Sequence, residues 1–182
     1  MAGIVAKNYC DALFALAQEE QKLDVYKEQL DLVADSVKAD HNFRAVMVHP
    51  KINKEEKKTM LSTIYANSVD HMILNFLKLL VDKGRFSKIE EIRHEFTKAY
   101  NDYFNIQVVY VKSATELKAD EVAKLKTKLE AKLNKKVDFK LSVDESLIAG
   151  VRIKINDQLI DNTARTRLER LKHNVLNAAE TK

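Results

Sequence analysis

The sequence predicts an α+β protein: an N-terminal six-helix bundle followed by a small α/β C-terminal domain. The chain has 182 residues but only three glycines and one proline, so little in it interrupts long helices. Apolar residues recur at helical spacing as far as Phe104, and from Ile106 the pattern changes to β-branched runs and alternation. We therefore place the N-terminal domain at residues 1–105 and the C-terminal domain at residues 106–182.

The first four predicted helices follow one another through short connections. Residues 4–19 and 23–38 repeat apolar side chains at the spacing of one helix face. Asp40 is placed to cap a short third helix, which stops before the single proline. Asn53, with a glutamate three residues later, begins a fourth helix over residues 54–66.

Two more helices complete the predicted bundle. Asp70 caps the fifth helix, and Gly84 stands where a left-handed residue would end it. The sixth runs from about residue 87 to residue 104. Its apolar face carries Ile89, Ile92, Phe96 and Tyr100.

The C-terminal domain reads as strands around one helix. Residues 106–112 form a buried strand and residues 118–133 an amphipathic helix. Two alternating segments, 137–143 and 148–155, form half-buried strands. The inward side chains predicted for the first of them are Val137, Phe139, Leu141 and Val143. A turn at Asn156-Asp157 leads to Leu159-Ile160, and Thr163 caps a final helix with Leu168, Leu171 and Val175 inward.

Composition excludes several classes of protein. The chain is 46% hydrophobic and 32% charged, which indicates a packed core and not disorder. Its net charge of +4 comes from well-mixed acidic and basic residues. Lys7 and Asp11 interrupt the first apolar stretch, so we expect no secretory signal. No apolar run approaches the ~20 residues of a membrane span, so we expect no direct membrane insertion.

Motifs of catalysis or metal binding do not stand out. The five histidines include no pair at i, i+4 spacing, and the segment DKGR lacks the flanking glycines of a phosphate-binding loop. Cys10, the only cysteine, lies on an apolar helix face as a small core residue would. We therefore expect no enzyme activity, cofactor, metal or small-molecule substrate.

A nucleic-acid-binding adaptor is the main alternative. Six lysines lie within residues 124–136 and could meet phosphates. Acidic residues interrupt this region, however, and no aromatic side chain interleaves with the lysines to stack on bases. A solvated helix face is the favoured interpretation, with an acidic protein partner as an intermediate one, so we expect no nucleic acid.

Two predicted helices are too apolar for one core contact. In the fifth, only Asn75 and Lys78 form a polar wedge, whereas a helix on a core needs an apolar stripe of only about 100°. The first helix has a similarly broad apolar arc. Either such a helix is buried on all sides, or the two flank an open groove for a visiting amphipathic helix. In the second case Ala12 would allow close approach, and Phe76 and Leu79 would form walls.

Three segments in this order resemble one family over nearly the whole chain: YCDALFALA, FLKLLVDKGRF and VDESLIAGVRIKINDQLIDNTARTRLERL. They are similar to the delta subunits of bacterial F-type ATP synthases, homologues of the mitochondrial oligomycin-sensitivity-conferring protein. The resemblance implies a non-catalytic peripheral-stalk, or stator, subunit. Such a subunit links the α3β3 catalytic head to the membrane-anchored b subunits, so that proton-driven rotation is coupled to ATP synthesis. It implies a peripheral location on the cytoplasmic face of the bacterial cell membrane.

The resemblance also implies where the partners bind. N-terminal helices of the α subunits would enter the groove between the first and fifth helices, and the b subunits would contact residues 106–182. The candidate groove residues are Tyr9, Ala12, Leu13, Phe76, Leu79 and Leu80. Arg85 matches a recurrent Gly-Arg after the fifth helix and would either cap that helix or contact α. The lysine-rich helix over 118–136 could help to seat an acidic b terminus.

Overall fold

The computed structural model describes residues 2–168, which belong to two compact units. The first unit ends at Tyr100 and the second begins at Asn101. The α+β class is confirmed, because α-helices precede a four-stranded sheet along the chain. The division between the units lies a few residues before the boundary that the sequence predicts.

Helices occupy almost all of the first unit. They are α1 Ala2–Glu19, α2 Leu23–Ala39, α3 His41–Val48, α4 Lys54–Tyr65, α5 His71–Asp82, a 3-10 turn at Phe86–Lys88, and α6 Ile89–Tyr103. Asp40, Asn53 and Asp70 each accept a hydrogen bond from a backbone N–H in the first turn of the helix that follows. The predicted starts of α3, α4 and α5 are therefore confirmed at their caps.

The core of the first unit takes side chains from every helix. The largest fully buried ones are Tyr26, Leu30, Val33, Leu61, Ile73, Leu77, Leu80, Ile89, Ile92 and Phe96. The α6 face predicted from helical spacing is the buried one at Ile89, Ile92 and Phe96. Phe14 of α1 meets Phe96 edge to face, with ring centroids 5.4 Å apart. Helical periodicity thus assigns most of this core correctly.

A mixed four-stranded sheet forms the second unit. Its elements are β1 Ile106–Ser113, α7 Ala119–Leu133, β2 Lys136–Val143, a 3-10 turn at Glu145–Leu147, β3 Val151–Ile155 and β4 Gln158–Asp161. The strand order is β2-β1-β3-β4; β1 and β2 are parallel, and the other pairs are antiparallel. One face packs under α7 through Val109, Val111, Val137, Ile153, Ile155 and Leu129.

Two predictions for the strands are wrong in part. Leu141 and Val143 are 50% and 54% exposed, although alternation predicts them inward. They lie on the edge strand beyond the apolar cluster under α7, which includes Val137 and Phe139. The third strand begins at Val151 and not at Ile148, because Ile148 follows the 3-10 turn with a φ of 55°, which no strand residue adopts.

The final predicted helix is described only at its start. Residues 164–168 are helical, and the hydroxyl of Thr163 accepts a hydrogen bond from the Thr166 N–H, as a capping residue would. Leu171 and Val175 lie outside the described residues.

Candidate functional site

Helix α1 presents two apolar stripes. One consists of core residues that are at most 2% exposed: Ala6, Cys10, Leu13 and Ala17. The other lies beside it at i, i+4 and i+7 and consists of Val5, Tyr9 and Ala12. Val5 and Tyr9 are only half-buried, and Ala12 is exposed. α1 therefore carries apolar surface that is not fully buried in the core of the first unit.

Helix α5 also has an unused apolar edge. Ile73, Leu77 and Leu80 are fully buried. Leu79, the neighbour of Leu80, is 43% exposed, whereas Phe76 is 8% exposed. The interpretation in which α5 is buried on all sides does not hold, because Leu79 faces solvent.

A groove of about 420 Å3 opens between these two edges. The rings of Tyr9 and Phe76 meet across it edge to face, with centroids 6.2 Å apart and planes at 72°. Its lining is Val5, Asn8, Tyr9, Ala12, Phe76, Leu79 and Arg85. Because most of these side chains are apolar, the groove suits the apolar stripe of another helix.

The N-terminal end of α5 is held to the start of α2 by a polar cluster. The Lys22 ammonium donates to the Asp70 carboxylate at 2.9 Å and pairs with Glu20 at 3.2 Å. The Asp70 backbone N–H donates to the side-chain oxygen of Gln29 at 2.7 Å. The pKa of Asp70 is lowered by the hydrogen bond it accepts from the Met72 N–H and by Lys22. The charged carboxylate therefore positions α5 beside the α1–α2 connection.

The C-terminal end of α5 is closed by Gly84. Its φ of 65° lies in the left-handed region, and its N–H donates to the Val81 carbonyl at 3.0 Å. The Arg85 N–H donates to the Leu80 carbonyl at 2.7 Å, and Arg85 is also one of the residues that line the groove. The backbone of Arg85 therefore takes part in the helix cap, as one of the two predicted roles requires, while contact of Arg85 with an α subunit stays a prediction.

Four of the six predicted site residues line the groove: Tyr9, Ala12, Phe76 and Leu79. Leu13 and Leu80 do not line it, because they are 2% and 0% exposed in the core. Val5 and Asn8 line it and were not predicted. Their positions seven and four residues before Ala12 are the helical signal that would have identified them.

Other chemical sites find little support in the described part of the chain. Cys10 is 1% exposed, and burial raises its pKa to about 11, which keeps the thiol protonated. Among residues 2–168, no three His, Cys, Asp or Glu side chains come together as metal ligands would. The lysines of α7 at 124, 126 and 128 are exposed, and Leu129 is the buried side chain of that helix.

The helices of the described residues are also too short or too polar to span a membrane. Over residues 2–168, no helix has both the length and the apolar character needed to cross a bilayer.

Comparisons with known proteins agree over nearly the whole chain. Residues 5–175 match the family of the ATP synthase delta (OSCP) subunit. A protein of Clostridioides difficile named ATP synthase subunit delta is 35% identical over 173 residues, which cover 94% of this chain and 96% of that one. Its namesake in Lachnoclostridium phytofermentans is 34% identical over 177 residues, covering 96% and 97%.

A solved structure has the same fold. One chain in the cryo-EM structure of the Toxoplasma gondii mitochondrial ATP synthase hexamer superposes with a TM-score of 0.70 and 19% identity, covering 94% of this chain and 97% of that one. The subunit that the sequence family describes is a structural part of ATP synthase and does not itself catalyse. On this evidence of sequence and fold, the chain belongs to the ATP synthase delta (OSCP) subunit family.

Proposed function

We propose that this chain is a stator subunit, which links the α3β3 head to the membrane-anchored b subunits at the cytoplasmic face of the cell membrane. It would hold the head against the torque of the rotor, so that proton-driven rotation is coupled to ATP synthesis. The observation that carries the proposal is the open apolar groove between α1 and α5. A joint under torque needs a binding surface and no catalytic chemistry.

The N-terminal helix of an α subunit is the proposed occupant of the groove. An amphipathic helix would place side chains at i, i+3, i+4 and i+7 against the groove lining. Exposed Ala12 leaves room for close approach, while Phe76 and Leu79 offer apolar contact. Burial of apolar surface in the groove would stabilise the complex by ~25 cal/mol per Å2 before the costs of association. Nanomolar affinity corresponds to a binding free energy of about 12 kcal/mol.

The two attachments are proposed to lie on different parts of the chain. Residues 1–105, with the six helices as a bundle, would bind α, and residues 106–182 would bind the b subunits. The division of the chain into two compact units supports this arrangement. Each attachment could then be altered without loss of the other.

Coupling in membranes tests the proposed function. Membranes depleted of this chain should lose most proton-driven ATP synthesis, while their detached heads hydrolyse ATP at the usual rate. Adding the full chain back should restore synthesis. Depleted membranes that keep their heads attached and make ATP at the undepleted rate would refute the stator role.

A further inference from the structure

On the face of the sheet opposite α7, here called the outer sheet face, several side chains among residues 106–161 are exposed. Tyr110 lies on it in the middle of β1 and is 55% exposed, although its neighbours Val109 and Val111 are fully buried under α7. Leu159 on β4 is exposed on the same face. Parallel strands are usually covered on both faces, and β1 and β2 are parallel. The exposure of Tyr110 beside such a pair is therefore unusual.

Basic side chains surround Tyr110. Strand register pairs Tyr110 with Lys140 of β2 on one side and with Lys154 of β3 on the other. Lys112 follows on the same face of β1 and pairs with Arg152. Like charges on neighbouring strands repel one another, so this arrangement costs stability in the isolated chain.

The acidic residues of the outer sheet face are already engaged. Asp161 accepts from Arg152 at 2.9 Å and also from the N–H and hydroxyl of Thr163 at 3.0 and 2.7 Å. Asp138 pairs with Lys140 at 3.5 Å. Lys112 and Lys154 form no ion pair with any residue in the range 2–168. Asp144 also lies close enough to Lys112 and Arg152 for their charges to contribute to lowering its pKa. The four basic side chains of this face therefore outnumber the three carboxylates near them by one.

We propose that the outer sheet face docks an acidic α-helix of a partner protein, laid along β1. Strands lie ~4.8 Å apart, so β2 and β3 are about 10 Å apart across β1, close to the ~10–12 Å diameter of a helix. Carboxylates on the two flanks of that helix would meet Lys140 and Lys154, and its underside would cover Tyr110. Tyrosine suits such a place because it offers both apolar area and a hydroxyl.

This inference rests on the proposed function, in which residues 106–182 bind the b subunits. It adds which surface of these residues would bind them and which charges would be recognised. It also differs from the hypothesis that the α7 lysines seat that partner. The charges of the outer sheet face converge on one exposed aromatic ring, whereas the lysines of α7 have none among them.

Matched charge reversals in the full chain test the inference, with the soluble part of the b subunits from the same enzyme as the probe. Lys140→Glu/Lys154→Glu should weaken binding about tenfold or more and reduce its salt dependence. Lys126→Glu/Lys128→Glu, which makes the same charge change on exposed positions of α7, should change binding less than about threefold. Circular dichroism should give the parent spectrum for both variants.

Different binding results would refute the docking surface and the proposed contact with the b subunits. If the parent chain does not bind the b fragment, the proposed contact with b fails. If the parent binds and the sheet variant binds equally well, or both variants lose equally, the outer sheet face is not the docking surface. A 20-nucleotide oligo-dT that displaces the b fragment and binds as tightly would also overturn the proposal, in favour of nucleic acid.

Discussion

At the scale of single residues, adjacent positions in α1 and α5 have opposite environments. Leu80 is fully buried while Leu79 faces the groove, and Leu13 is buried while Ala12 is exposed. A rotation of about 100° per residue explains both pairs. Whether a residue lines the groove or lies in the core therefore depends on which side of an apolar helix it occupies, and not on its hydrophobicity.

Cys10 gives a prediction at this scale. Its thiol is buried, and a pKa of about 11 leaves about a hundredfold less thiolate at a given pH than the ordinary value near 9 would. We expect iodoacetamide at pH 8 to label the native chain at least about a hundred times more slowly than the urea-unfolded chain. A Cys10→Ser variant gives the background rate. Equal labelling of the native and unfolded chains would show that the thiol is not in the core.

The sequence identifies the two helices that flank the groove but does not separate groove residues from core residues. A helical wheel shows that α5 has apolar side chains almost all round, and it cannot tell which of them another helix of the same chain will cover. Leu13 and Leu80, which we predict to line the groove, lie in the core. Val5 and Asn8 line the groove although the sequence does not predict them there: Val5 belongs to the apolar pattern of the first helix, and Asn8 is polar.

At the scale of elements, both ends of α5 are fixed by capping groups. Asp70 satisfies the N–H of Met72 at the first end, and Gly84 supplies the left-handed residue at the second. Asp70 also bonds to Lys22. The cap therefore determines both where α5 begins and how it lies against the start of α2.

We expect Asp70→Ala to lower the free energy of unfolding by about 1–2 kcal/mol at pH 7, because a cap and an ion pair are lost together. Asp70→Asn should cost less, because an amide oxygen can still cap. The pKa of Asp70 is lowered in the folded chain, so its contribution is present above the unfolded pKa and is lost as pH falls through the folded value. Urea unfolding at pH 7 and near pH 3 measures this. If the loss of unfolding free energy in the Asp70→Ala variant is as large near pH 3 as at pH 7, this role of Asp70 is contradicted.

Gly150 determines how β3 begins. Its φ is 94°, and an added Cβ would lie 2.5 Å from the Asn162 carbonyl oxygen. We expect Gly150→Ala to destabilise the second unit by about 2 kcal/mol or more, from backbone strain and overlap. Gly3→Ala, where a Cβ has open space within a helix, should be neutral or stabilising by up to about 1 kcal/mol. Thermal unfolding of the two variants makes the comparison, and equal melting temperatures would contradict it.

The strands were predicted less accurately than the helices, for an identifiable reason. Alternation gives the two faces of a strand but not how far the covering helix extends, so Leu141 and Val143 were expected to be buried. Their exposure depends on the reach of α7 over an edge strand. The start of β3 was missed because nothing in the alternation reveals the left-handed backbone of Ile148.

At the scale of the whole molecule, the chain combines a helical unit with a groove and a sheet unit with a basic face. In neither unit do three His, Cys, Asp or Glu side chains of the described residues come together as metal ligands would. With both proposed attachments, the chain would have the two binding surfaces that a connection between two partners requires. The family to which the chain belongs is in keeping with such a connecting role.

The central claim is that the groove between α1 and α5 binds an α-subunit helix. Its most direct test is a fluorescence titration with a Trp-bearing peptide from the α N-terminus, because this chain has no tryptophan of its own. We expect saturable binding by the parent chain. Ala12→Asp should weaken it at least about a hundredfold by placing a charged carboxylate where the apolar stripe of the peptide would pack. Ala15→Asp, the same change at an exposed α1 position outside the lining, should leave the affinity within about threefold. Parent-like affinity in a folded Ala12→Asp variant would contradict the account.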